Sequence, residues 1–223
     1  MINKLYKNLL SKFGPQGWWP TSVNGIPTHK KKKNKTQDER FEIITGAILT
    51  QNTNWKNVEK ALINLNKHNL VNIKKIKNIN KNKLAELIRP SGYYNQKAER
   101  LKLAAEFFDS EMDTFINDKN TIKLRKKLLA LKGIGPETAD SILLYAFEKP
   151  TFVIDAYTSR ITKRLGVRSK DYHDLQSVFT KNLKKDIKIY KEYHALLVEL
   201  GKNYCKNKPV CYKCPIKRFC KND

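Results

Sequence analysis

Apolar residues recur at helical spacing along almost the whole chain. Ile2, Leu5, Leu9 and Phe13 fall on one face of a first helix. A loop with Gly14, Pro15, Gly17 and Pro20 follows and carries Trp18 and Trp19. The basic run from His29 to Lys35 reads as solvated surface that skims phosphates if a polyanion binds. From about residue 38 the pattern is helical nearly to the end. Phe41, Ile44, Ala47 and Ile48 line one face, and Asn54 caps a helix carrying Val58, Leu62 and Leu65. Short helices follow near 70–78 and 81–89, the latter stopped by Pro90. A longer one, Asn95 to Phe108, carries Ala98, Leu101, Ala104 and Ala105. Helices are also predicted over 171–183 and 186–203. Strand signals are nearly absent, and no repeat of fixed period is evident. The pattern predicts an all-α chain.

One stretch departs from plain amphipathicity. A helix from Thr121 to Leu131 runs into Lys132-Gly133-Ile134-Gly135, and a new helix starts at Pro136 with Ala139, Ile142, Leu143, Ala146 and Phe147 facing the core. Ending, turning and restarting within four residues requires φ > 0, which glycine reaches without steric cost. Pro136 suits the first helical position, where its missing N–H would have no partner anyway. The free N–H groups of such a turn favour an anion, and phosphate is the natural occupant. A plain helix–helix connector has the same Gly-x-Gly, so the motif alone does not decide. The extended run Thr151 to Ile154 then delivers Asp155 to the start of a third helix with Tyr157, Ile161 and Leu165 inward.

Composition sharpens this. The 223 residues hold 45 Lys+Arg against 21 Asp+Glu, a formal charge of +24. Charge of that size repels itself in a compact state and points to a polyanionic partner, nucleic acid before any other. Abundant Lys, Asn and Ile throughout also suggest a genomic bias. No apolar run is long enough to span a membrane, and the polar start MINKLYKNLLSKFG is unlike a signal peptide, so the expected location is inside the cell. All four cysteines lie between 205 and 220, spaced Cys205-x5-Cys211-x2-Cys214-x5-Cys220. Disulfides are rare inside cells, so a clustered set there points to metal, either [4Fe–4S] or Zn.

These motifs together resemble the helix-hairpin-helix-GPD superfamily of DNA glycosylases, the group that contains endonuclease III. The matching residues are Leu131 to Gly135, Thr138-Ala139-Asp140, Val153-Ile154-Asp155, Gly46 to Thr53 and Arg89 to Ala98, spread over about residues 39 to 220. Within it the chain looks most similar to the 3-methyladenine glycosylase III subfamily, but with an endonuclease III-type tail. The resemblance implies a two-lobed, all-α helix-hairpin-helix fold with a small C-terminal iron–sulfur loop. A six-helix lobe would span 33–149, and a second would combine 1–32 with 150–223, including the loop at 205–220. A groove would separate them, with Asp155 at its mouth.

The resemblance also assigns roles. Asp155 would stabilise the positive charge that builds on the sugar as an N-glycosidic bond breaks, besides capping its helix. At Glu137, strand-cutting members carry a lysine whose amine forms a Schiff base. A carboxylate cannot form one, which argues against efficient strand cleavage, and its side chain is expected to turn toward the pocket. Trp18, Trp19 and Trp55, the three tryptophans, would wall a pocket for a flipped, cationic base. Gln51, beside Asn52, would fill the gap left by that base, and Tyr93 would wedge the other strand. Gly133, Ile134, Gly135 and Thr138 would hold the DNA backbone. Cys205, Cys211, Cys214 and Cys220 would bind [4Fe–4S], although the family's usual first gap is six residues rather than five, which keeps Zn as the alternative.

The expected function is a base-excision-repair glycosylase that removes a damaged base, an alkylated purine such as 3-methyladenine, from double-stranded DNA, acting as a monomer. An endonuclease III-like glycosylase and lyase on oxidised pyrimidines or mismatches is the alternative within the same chemistry. A DNA-binding module without catalysis is the alternative outside it.

Overall fold

The computed structural model describes residues 1–29 and 35–220. Most of the basic run expected to skim phosphates, residues 30–34, lies outside the described residues. The chain forms two compact units, Trp19–Lys149 and Met1–Trp18 with Pro150–Asp223.

The first unit, Trp19–Lys149, is built around α2 (Gln37–Leu49), whose residues from Phe41 to Leu49 are all buried. Thr36 starts it with a reciprocal capping box: Glu39 N–H donates to Thr36 Oγ1, and Thr36 N–H to the Glu39 carboxylate. Around it lie α3 (Trp55–Lys67), α4 (Ile73–Asn78), α5 (Lys81–Leu87), α6 (Tyr94–Asn117), α7 (Thr121–Leu129) and α8 (Pro136–Ser141). Among the described residues of this unit there are thus seven α-helices, where six were expected. Asn54, Asn72, Asn80 and Asn120 cap α3, α4, α5 and α7 through their side-chain oxygens. An asparagine-rich composition therefore has a structural use, each cap contributing about 1 kcal/mol. Helix α6 extends well past Phe108, because Met112 and Phe115 continue its buried face.

Two features of this unit differ from the sequence reading. Residues 21–28 form a hairpin, β1 (Thr21–Val23) and β2 (Ile26–Thr28), with Val23 opposite Ile26. Three-residue strands are too short to show alternation, but Asn24 and Gly25 both take positive φ, the turn that an Asn-Gly pair favours. Ser22 donates to the buried Glu42 carboxylate from its N–H and its hydroxyl, and Asn66 donates to Ser22 Oγ. These bonds pin the hairpin to α2 and α3, so residues 19–28 belong here and not with the other unit. Second, α8 passes into a π-helical turn over Ile142–Ala146, with Phe147 N–H donating to Ile142 O.

The second unit contains α1 (Ile2–Phe13), α9 (Ala156–Arg164), α10 (Tyr172–Asn182) and α11 (Ile187–Asn203), followed by the cysteine-bearing loop. Phe152 stacks on Phe179 at 4.3 Å, and the buried Tyr193 hydroxyl donates to Ile2 O, which holds the N-terminal helix to the C-terminal half. Helix α9 crosses α11 closely at Gly201, where any Cβ would come within 2.4 Å of Tyr157. No helix among the described residues is long and apolar enough to cross a membrane.

Candidate functional site

In the unit Trp19–Lys149 the Gly-x-Gly turn behaves as the sequence predicts. Gly133 sits at φ +82°, Gly135 caps α8, and Ile134 anchors the turn by its burial. The helix before it ends at Leu129, two residues earlier than expected. The arms of the turn are clamped by Arg125, whose Nε and Nη2 donate to the two oxygens of the fully buried Asp140 at 2.8 and 3.1 Å. A bidentate pair of this kind fixes orientation as well as distance.

Gln51 lies in the turn after α2. Its Nε2 donates to Gly133 O at 3.0 Å and to the buried Thr138 Oγ1 at 2.9 Å, while its Oε1 accepts from Arg100 Nη1. Two sequence candidates, Gln51 and Thr138, are thus joined to the turn directly. Asn52 beside it is exposed, at φ +54°. Tyr93 is exposed too, at φ +47° just before α6, a posture that a bulky residue adopts only when its surroundings hold it there. Lys97, absent from the sequence candidates, does some of that holding. It is buried, and its Nζ donates at 2.7 Å to both Leu49 O and Ser91 O, the carbonyls that precede the Gln51 and Tyr93 turns. Desolvation by burial, with Arg100 nearby, lowers its pKa to about 8.

Of the tryptophans, Trp19 and Trp55 come together edge-to-face at 5.4 Å, and Trp19 also meets the buried Tyr145 at 5.2 Å. Gly46 of α2 makes this possible, since a Cβ there would lie 3.0 Å from the Trp19 indole nitrogen. Trp55 Nε1 donates to Glu59. Trp18 belongs to the other unit and is half-buried there. Glu137 is exposed in the first turn of α8, where the helix dipole favours a carboxylate.

In the unit with both chain ends, Asp155 caps α9, its Oδ1 accepting from Thr158 N–H at 2.6 Å. Its Oδ2 lies 3.7 Å from Nε2 of the buried His194 on α11. Burial alone would raise the Asp155 pKa, but the His194 contact and the Thr158 hydrogen bonds outweigh it, so the carboxyl ionises below its usual range. His194 was missed in the sequence, because a lone histidine within an apolar helix looks like core.

The four cysteines form no disulfide, and all of them line one cavity of about 180 Å³ together with Arg164, Leu165, Ile161 and Ile216. Arg164 donates to Cys205 Sγ at 3.2 Å and to the carbonyls of Lys206 and Asn207, and Arg160 donates to Cys205 O. Burial and the three neighbouring cysteines raise the Cys214 pKa. Among the described residues no three His, Cys, Asp or Glu side chains meet where a single metal ion would sit. The thiols surround a space instead, with cationic guanidinium beside it, a donor set that fits a thiolate-bound cluster.

The chain is similar to known proteins over most of its length. The family model described as "HhH-GPD superfamily base excision DNA repair protein" matches residues 45–185. A Methanocaldococcus jannaschii protein named as a DNA repair glycosylase is 47% identical over 226 residues, covering 99% of this chain and 96% of that protein. Endonuclease III of Sulfolobus acidocaldarius is 34% identical over 185 residues, 81% of each. Among solved structures, H. pylori 3-methyladenine DNA glycosylase (MagIII) bound to 1,N6-ethenoadenine superposes with a TM-score of 0.73 at 34% identity, covering 90% of this chain and 97% of that one.

Proposed function

The chain belongs to the HhH-GPD superfamily of base excision DNA repair proteins and is a DNA glycosylase of that family, and from this premise we propose that it hydrolyses the N-glycosidic bond of an alkylated purine without efficient strand cleavage. The observation that carries the substrate class is the aromatic group in which Trp19, seated against Gly46, meets Trp55 and Tyr145. A purine nucleotide methylated at N3 or N7 is cationic, and electron-rich rings attract it beyond simple stacking. The MagIII structure was solved with an adenine adduct, and it is similar to this chain over nearly its full length.

Chemistry of this kind asks little of the protein once the base is extrahelical, because a cationic purine is already a good leaving group. What remains is positive charge on the sugar as the bond breaks, and Asp155, kept ionised by its surroundings, supplies the opposing charge and orients the attacking water. No amine stands at position 137 to attack the sugar, so the abasic strand is left intact. The glycine turn grips the DNA backbone through its N–H groups, Gln51 and Tyr93 stabilise the separated strands, and +24 formal charges favour a duplex partner. Cys205, Cys211, Cys214 and Cys220 would hold a [4Fe–4S] cluster, whose cross-link would order the basic tail.

The test is a panel of oligonucleotides, each with one lesion. Release of methylated purines, with an intact strand and little borohydride trapping, is expected. Trp55→Ala should depress release from methylated purines. Release of oxidised pyrimidines with efficient trapping, and none of methylated purines, overturns this reading in favour of an endonuclease III-like lyase.

A further inference from the structure

Gln51 does not stand free at the end of α2. As a primary amide it has one acceptor oxygen and two N–H donors, and the structure engages all three: Oε1 accepts from Arg100 Nη1, and Nε2 donates to Gly133 O and Thr138 Oγ1. The partners fix which way the amide faces. Turned by 180°, its NH2 would meet the Arg100 guanidinium, donor against donor, and its oxygen would meet the Gly133 carbonyl, acceptor against acceptor.

Arg100 is the organising member. It stands on α6 and reaches both Gln51 and the glycine turn, lying so close to Gly133 that a Cβ there would come within 2.3 Å of its Nε. Gly133 therefore needs to be glycine twice over, for its φ of +82° and for the guanidinium that covers it. Four segments meet in this group: the turn after α2, helix α6, the Gly-x-Gly turn and the start of α8.

We propose that Arg100 is a positioning residue that locks the Gln51 amide to the Gly-x-Gly turn, so that gripping the DNA backbone and filling the space left by the extruded base are one coupled event. This rests on the reading of the chain as a glycosylase whose turn holds phosphate and whose Gln51 fills that space. Arg100 touches no reacting atom. Its effect is on discrimination between a duplex with an emptied position and an intact one, and not on general affinity for DNA.

The experiment has two arms. Without DNA, the side-chain amide of Gln51 is followed by NMR. In the unaltered protein its two N–H resonances should be dispersed and protected from exchange, and in Arg100→Ala they should collapse to solvent-exposed values. Unchanged resonances would overturn the proposal. With DNA, the ratio of affinities for a duplex holding a stable abasic analogue and for undamaged duplex is measured at one salt concentration for Arg100→Ala, Gln51→Ala and the double variant. Each single change should lower the ratio about tenfold, and the double should be no worse than either, the mark of residues acting as one unit. Losses that multiply would show that the two act independently. An equal fall in both affinities would make Arg100 a phosphate contact only. A cooperative thermal unfolding transition in each variant shows that it is folded. A ratio near one for the unaltered protein, with the NMR result intact, would instead sink the glycosylase reading of this turn.

Discussion

His194 Nε2 faces Asp155 Oδ2 at 3.7 Å from one helix to the cap of another, while the second carboxylate oxygen takes the Thr158 N–H. Both oxygens of the proposed catalytic group are thus held from within its own unit, and the charge is kept although the site is buried.

Asp155→Asn preserves a capping oxygen and removes the charge. Base release should fall about 10²- to 10³-fold, with duplex affinity nearly unchanged. Because the folded carboxyl ionises below its unfolded value, it stabilises the fold above about pH 4 and ceases to as pH falls through the folded value. The melting-temperature gap between the unaltered protein and Asp155→Asn should therefore close in acid. His194→Ala removes one cause of the depressed pKa and should move the acid limb of the base-release profile to higher pH. An unmoved limb would show that His194 does not tune Asp155.

Arg125→Met leaves the buried Asp140 carboxyl without its bidentate partner. The expected loss is roughly 3–5 kcal/mol by urea denaturation. Arg125→Met with Asp140→Leu should recover much of it, since no buried carboxyl is left without a partner. A double variant as unstable as the single one would contradict this assignment.

Glu137→Lys places an amine in the first turn of α8. Borohydride should then trap covalent complex on abasic DNA, weakly but above the unaltered protein. No gain in trapping would mean that this exposed position does not reach the sugar.

The cysteine loop predicts a yellow-brown protein with absorption near about 400 nm. Cys211→Ser should bleach it and weaken duplex binding more than it changes the rate on bound DNA. A colourless protein with stoichiometric zinc would replace the cluster with a mononuclear site.

What was legible in the sequence came from strong local rules. The glycine turn, Pro136 as a helix start and the caps at Asn54 and Asp155 depend on a few neighbouring residues, and the structure shows each of them. The strands at 21–28 escaped notice because their stability comes from Glu42 and Asn66, 20 and 44 residues away from Ser22. Lys97, Arg100 and His194 were invisible for the same reason. Their partners lie on other elements, and a lysine or histidine within an amphipathic helix carries no mark of being buried.

The π-helical turn over Ile142–Ala146 carries a consequence for the aromatic group. Each residue of an ordinary α-helix advances about 100° around the axis, and a π-turn accommodates one residue more than the same length of α-helix. Tyr145 lies inside that widened turn and meets Trp19 from there. Its angular phase, and not only its identity, is what brings the ring to the indole. If the same residues ran on as regular α-helix, those at the end of the turn would be rotated by up to about 100°, one residue's advance, from their present place, with hydrophobicity, charge and helix content unchanged. The breadth of the stacking surface is therefore a matter of counting: it depends on one extra peptide in a helix that could have been regular.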